Sequence, residues 1–276
     1  MSVRSARYNR LGLRSPKGTS ALPLERDAWA FLDVAGITSS RQQEAVITLV
    51  RDLKQARLWT KMKAIYPFIG GTASSHKWNL KDPQDTDAAF RLTFNGGWTH
   101  SSTGALPNGS TGYAETSLDV GASLGQNDLH FSYYSRTERN ASGVEFDMGA
   151  AGDPNTGANS TGMRIRESGN LVGRVNANNT TVANSSSLGL FIASRNSSTN
   201  QQFYRNSTQL VNSAVSSTGL PTVTINIGRL NNTVATVYHA QRETAFNTIG
   251  NGLTSTEATL LFNCVDRYQK FLGRAV

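Results

Sequence analysis

From Lys63 onward apolar and polar residues alternate with a period of two, the mark of strands that bury one face. In the segment 89–95, Phe90, Leu92 and Phe94 alternate with Arg91, Thr93 and Asn95. The same alternation recurs at 129–135, 144–148, 162–168, 188–194, 222–228 and 234–240. Turn-forming groups separate these runs: Asn95-Gly96-Gly97, Pro107-Asn108-Gly109, Gly152-Asp153-Pro154 and Ser168-Gly169-Asn170. Strands at this spacing, about ten or more of them, predict a sandwich or a barrel. The Asn/Ser-rich stretch 176–187 reads as turns and an edge strand, or equally as a loop. No internal repeat supports a propeller or a solenoid.

Before residue 63 the period is helical. Val46, Leu49, Val50 and Leu53 place one apolar stripe on a helix over 38–57, with Ser39 and Gln42, or Ser40 and Gln43, available as a capping box. A shorter helix over about 24–35 precedes it and ends near Gly36. The resulting hairpin must bury Trp29, Phe31, Leu49 and Leu53 against the strands or against a partner. A closing helix is predicted over 254–271, where Thr254 and Glu257 supply a capping box. Ala258, Leu261, Val265, Tyr268 and Leu272 form its stripe, and Gly273 suits a left-handed cap.

Charge divides the chain unevenly. Residues 1–63 hold twelve Lys/Arg against five Asp/Glu, a net +7, whereas 64–276 hold fifteen against fourteen, a net +1. Within the first part Arg4, Arg7, Arg10, Arg14 and Lys17 precede any acid, and Gly12, Pro16 and Gly18 oppose a continuous helix. This is an extended basic arm, suited to an acidic surface on a partner. No zinc-finger, helix-turn-helix or RNA-recognition signature accompanies it, so a protein assembly is favoured over nucleic acid. The chain therefore divides into an arm and helical anchor, 1–63, and a β-domain with its closing helix, 64–276. No apolar run is long enough to span a membrane, and the basic N-terminus lacks the apolar core of a secretory signal.

Candidate chemistry is sparse. Glu145 and Asp147 alternate on one predicted strand, and two carboxyls are the minimum for retaining glycoside hydrolysis. The next alternate position, where a proton donor would stand, is Gly149, so no catalytic residue is assigned and a non-enzymatic protein is expected. The pair is read instead as a charged outer face, or as bonded to Arg164 or Arg166. His76, His100, His130 and His239 show no zinc-ligand spacing, and His130 and His239 read as structural. One acid in Gly152-Asp153-Pro154-Asn155 makes a weak calcium site, and no metal or cofactor is expected. Neither Gly-Gly pair has the Lys-Ser/Thr of a phosphate loop. The single Cys264 reads as a small buried apolar residue. Among Trp78, Trp98, Tyr113, Tyr133 and Tyr134, which favour the core over a sugar platform, the best candidate glycan contacts are Trp98 with His100, and Tyr113.

Two blocks, 61–116 (KMKAIYPFIGGTASSHKWNLKDPQDTDAAFRLTFNGGWTHSSTGALPNGSTGYAET) and 246–276 (FNTIGNGLTSTEATLLFNCVDRYQKFLGRAV), resemble bacteriophage virion proteins placed with tail or fibre components. The likeness runs from about residue 26 to the C-terminus and leaves the basic arm outside. It implies a mainly β fold, a concanavalin A-like or laminin-G-like jelly roll with a closing helix. It also implies a place in the virion among other virion proteins, and it carries no catalytic motif. The expectation is a virion structural protein whose N-terminal segment binds the particle while the sandwich faces outward to touch host-surface glycans. Fibres of this kind associate as homo-oligomers, although no heptad repeat supports a coiled coil here. The competing expectations are a polysaccharide depolymerase using Glu145 and Asp147, and a stand-alone lectin module.

Overall fold

The computed structural model describes residues 25–152, 159–232 and 238–276. The basic arm, the Asp153–Asn155 part of the candidate calcium loop and most of the strand expected over 234–240 lie outside the described residues. Two sheets face one another as a jelly-roll-like sandwich. The first runs β13 (Thr208–Ser213), β12 (Gln201–Arg205), β11 (Gly189–Arg195), β6 (Leu129–Ser135), β16 (Thr244–Gly250), β4 (Gly104–Pro107) and β3 (Trp98–Ser101), with β1 (Met62–Tyr66) also on β16. The second runs β10 (Thr180–Ala183), β9 (Asn170–Val175), β8 (Ser160–Glu167), β7 (Met148–Ala151), β14 (Thr224–Ile227), β5 (Tyr113–Asp119) and β2 (Thr93–Asn95). Pairing is antiparallel except where β15 (Leu230–Asn232) runs parallel to β7.

Between the sheets lie Leu118, Phe131, Tyr133, Met148, Met163, Ile165, Phe191, Phe203, Ile225 and Ile227. Here the expectation of one buried face needs correction: β6, β11 and β16 are buried along their whole length. The reason is a second core. Helices α1 (Arg26–Val34) and α2 (Ser40–Gln55) and the closing helix α5 (Ser255–Leu272) cover the back of the first sheet. Phe31, Leu49, Leu53, Leu261 and Val265 pack there with Tyr134, Leu190, Ile192 and Phe246, and Trp29 and Trp78 flank them. The hairpin thus buries its stripe on the sandwich. Among the described residues no long helix covers the back of the second sheet, whose outward positions on β5 stay partly exposed.

Local chemistry sets the ends of these elements. Thr254 and Glu257 form the reciprocal capping box of α5, and Gly273 ends it at φ 73°. Ser39 caps α2 without a side-chain bond, so neither expected box forms; Gln43 Nε2 instead donates to the Ile37 carbonyl. Ser168 and Gly169, both at positive φ, make the tight turn between β8 and β9. The run at 89–95 is a strand only over β2, because Phe90 adopts a left-handed conformation at φ 58°. The stretch 176–187 contains the edge strand β10. Among the described residues strand β1 has no neighbour on its free side, and Asn79 fills the gap: its Oδ1 accepts from the Ile65 amide and its Nδ2 donates to the Lys63 carbonyl. Leu80 completes the cover by donating to the Ile65 carbonyl.

Candidate functional site

The two carboxylates singled out by alternation are locked into the structure. Strand β7 begins only at Met148, and Asp147 lies just before it with its side chain 0% exposed. Both of its carboxylate oxygens accept from Arg242 Nη1, at 2.9 and 3.1 Å, and Oδ2 also accepts from the Ile165 amide. Burial holds this carboxyl above its ordinary value against the pull of Arg242 and the amide. Glu145 pairs with Arg139. The expected charged outer face does not form, because Asp147 is buried, and Arg164 and Arg166 bind Glu167 and Glu138 instead. Residues 144–147 hold only an isolated bridge between Phe146 and His239, so the predicted strand starts at Met148. At Gly149 a Cβ would stand 2.8 Å from both Leu230 Cδ1 and the Thr161 carbonyl oxygen, so no proton-donating side chain fits there.

The four histidines do not converge on a metal site, and no cluster of three metal-ligating side chains occurs among the described residues. His130 is fully buried between the first sheet and the helices. Its Nδ1 donates to the Asn251 carbonyl at 2.5 Å, so its Nε2 accepts from Thr248 Oγ1. Cys264 is buried on α5, where its thiol is pushed up to about 12.

His76 and His100 face each other, Nδ1 to Nδ1, at 2.9 Å. The Gly71 amide donates to His76 Nε2, which forces the His76 proton onto Nδ1 and makes His100 Nδ1 the acceptor. His100 accordingly carries its proton on Nε2. The one-turn helix α3 (Ala73–His76), capped by Thr72 and Ser75, sets His76 in place. His100 stacks on Trp98 at 6.1 Å, with Phe94 edge-on to both rings. Trp98 Nε1 donates to the Asn95 carbonyl, so the indole closes the flank of the sandwich where β2 passes to β3. Tyr133 and Tyr134 are buried in the two cores.

Beside this flank is an open depression of about 340 Å³ lined by Trp98, Thr99, Leu106, Pro107, Asn108 and Gln241. Asn108 Oδ1 accepts the amides of Ser110, Thr111 and Gly112 and so fixes the loop that forms one wall. Thr99 and Gln241 are exposed on it. A Cβ on Gly228 would touch Trp98, Pro107 and the Gly112 carbonyl, which places the start of the β14–β15 turn against this wall. The next residue, Arg229, lays its guanidinium 3.3 Å above the Tyr113 ring. His239 stands 6.2 Å from the same ring and its Nδ1 donates to the Gly112 carbonyl, leaving Nε2 as an acceptor. Burial, then Arg229, keep the His239 imidazole below its ordinary value despite that carbonyl.

Trp98, His100 and Tyr113 are therefore brought to one end of the sandwich, Trp98 and His100 on its flank and Tyr113 on the back of the second sheet. Arg229, His239 and Gln241 join them without having been singled out as contacts. Tyr113 at an outward strand position was the available signal; nothing in the spacing ties it to residues more than a hundred positions away.

These features define a mainly β, jelly-roll-like sandwich with its three long described helices on the first sheet and a polar, aromatic end. The sequence matches no protein-family profile and no curated protein. Its fold is similar to that of a Trypanosoma rangeli sialidase mutant displaying trans-sialidase activity, with a TM-score of 0.53 at 11% identity over 81% of this chain and 39% of that one. It is also similar to botulinum neurotoxin type C, whose cell entry depends on two ganglioside molecules, with a TM-score of 0.51 at 12% identity over 76% and 53%. The binding domain of botulinum neurotoxin DC, in complex with rat synaptotagmin II, aligns with a TM-score of 0.50 at 12% identity over 75% and 52%. The chain spans 39% to 53% of the length of these structures, and at such identities the likeness is one of fold.

Proposed function

We propose that this chain is a non-enzymatic glycan-binding module of a bacteriophage virion, anchored through its N-terminal segment and presenting the bare end of the sandwich to host-surface saccharides. The observation that carries the glycan reading is the end formed by the depression and the Tyr113–Arg229–His239 group. Aromatic and proline surface there suits the CH-rich face of a sugar ring, and the Gln241 amide, Tyr113 hydroxyl and His239 Nε2 suit its hydroxyls. The likeness in fold to proteins that act on or enter cells through sialylated glycans and gangliosides supports the same reading. The non-enzymatic reading is supported by the ion-paired Asp147 and Glu145 and by the lack of room at Gly149.

On a glycan array the purified chain is expected to bind a restricted set of saccharides. Tyr113→Ala should weaken that binding about fivefold, since one stacked aromatic contact is worth about 1 kcal/mol, while the sandwich stays folded by circular dichroism. Absence of binding to any saccharide at millimolar concentration would overturn the reading. The virion placement rests on the resemblance of 61–116 and 246–276 and on the segregated charge of Arg4, Arg7, Arg10, Arg14 and Lys17. Deleting residues 2–24 should leave the sandwich folded, by circular dichroism, yet remove the chain from purified particles, by mass spectrometry. Undiminished incorporation would refute the anchoring role.

A further inference from the structure

We infer that Arg229 is an anion-binding residue, and that the saccharide taken at this end carries a carboxylate or sulfate group; the inference rests on the glycan reading above. Arg91, Arg139, Arg164, Arg166 and Arg242 each pair with a carboxylate. Arg195, Arg205 and Arg274 have no acid but donate to carbonyl or amide oxygens away from this end. Among the described residues Arg229 too has no carboxylate, its side-chain partners being the Tyr113 ring and Asn226, and it stands at the polar, aromatic end. Asn226 is buried beneath it with its carboxamide turned so that Oδ1 accepts from Arg229 Nε at 2.8 Å and Nη2 at 3.0 Å, while Nδ2 donates to the Ile225 carbonyl. The opposite orientation would set amide hydrogens against the guanidinium and the two oxygens against each other.

A neutral amide leaves the guanidinium charge uncompensated. The acid that follows on the same face of β5 is Glu115, two residues beyond Tyr113, and its Oε1 is engaged by the Thr224 hydroxyl. Of five guanidinium N–H donors two go to Asn226, and the other three are available to a ligand. Stacking on Tyr113 and two hydrogen bonds fix the group in place, so little side-chain freedom remains to be lost when an anion docks. A planar carboxylate or a sulfate matches this geometry through charge-assisted bonds. His239 Nε2 and the Tyr113 hydroxyl flank the cation and can meet the hydroxyls of the same sugar.

Calorimetric titration of the full chain with 3′-sialyllactose, lactose and a 6-sulfated galactoside separates the options. The two anionic sugars are expected to bind at least about tenfold more tightly than lactose; a preference between them tells carboxylate from sulfate. Arg229→Gln should lower the affinity for the two anionic sugars far more than that for lactose, so that the ratio falls toward one, and Arg229→Lys should retain part of that ratio; circular dichroism checks that both variants stay folded. Equal affinity for anionic and neutral sugars, or an anionic preference that survives Arg229→Gln, would overturn the inference while leaving the glycan reading intact. Failure of every saccharide on the array would remove both.

Discussion

Replacing Asp147 with Ala is expected to destabilise the protein by about 3–5 kcal/mol, because it leaves the Arg242 charge buried without its counter-ion. Neither side chain is exposed, and water cannot take over the solvation that the carboxylate supplies. Arg242 also donates through Nη2 to the carbonyls of Arg139 and Arg166, so it ties segment 139–147 to β8 as well as to the start of β16. Asp147→Asn keeps the shape and an acceptor and should cost less. The double replacement Asp147→Ala with Arg242→Met removes both charges and should recover part of the loss, but the two orphaned carbonyls keep it below the parent. Urea denaturation of the three variants measures these differences. A loss under about 1 kcal/mol for Asp147→Ala would show that the pair contributes no net stability.

Acidification from pH 7 to pH 5 is expected to remove about 4 kcal/mol of stability, about 2 from each of His76 and His130. Burial, reinforced by His100 and Arg274, lowers His76 to about 3. Burial lowers His130 to about 4; Lys61 acts in the same sense, and the Asn251 carbonyl, Asp128 and Glu257 oppose it. Both values lie below that of an unfolded histidine, about 6.5. Between the folded and unfolded values the unfolded chain binds more protons. The stabilisation is thus complete above about pH 6.5 and is lost as pH falls toward 4. Burial is the cause, and the hydrogen bonds agree with neutral rings: His76 Nε2 faces the Gly71 N–H, and His130 Nε2 accepts from Thr248. Carboxyls held low by their partners, such as Glu138 and Glu257, add to the loss only at more acid pH. Urea midpoints at pH 7, 6 and 5 test this directly, and a flat profile would contradict the neutral histidines.

Local signals carried much of the fold. The closing helix was legible to its caps, because Thr254, Glu257 and Gly273 act within one turn of their own backbone. The turn at Ser168-Gly169 was legible for the same reason, and the two N-terminal helices from their apolar stripe, although no side chain caps them. The double burial of β6, β11 and β16 was not, since alternation reports one apolar face and the second is covered only when three distant helices meet there. Polar His130, Ser132 and Thr248 on that covered face broke the apolar pattern while bonding to one another. The partner of Asp147 lies 95 residues away, and the nearer Arg164 and Arg166 drew attention because of their strand register. At the candidate site Trp98, His100 and Tyr113 could be read from aromatic type and turn context. Arg229 could not, because its seat on the Tyr113 ring, with the neutral Asn226 amide as its other partner, comes from the pairing of distant strands and not from its neighbours in sequence.

The amide of Asn79 has a consequence for crowding. An open strand edge is a template on which a second chain can polymerise, and copies gathered at high local concentration meet that hazard most often. By spending one side chain on the exposed backbone of β1, with Leu80 beside it, the protein denies its neighbours that seam. The edge is closed from within the chain, by residues that lie less than twenty positions from it.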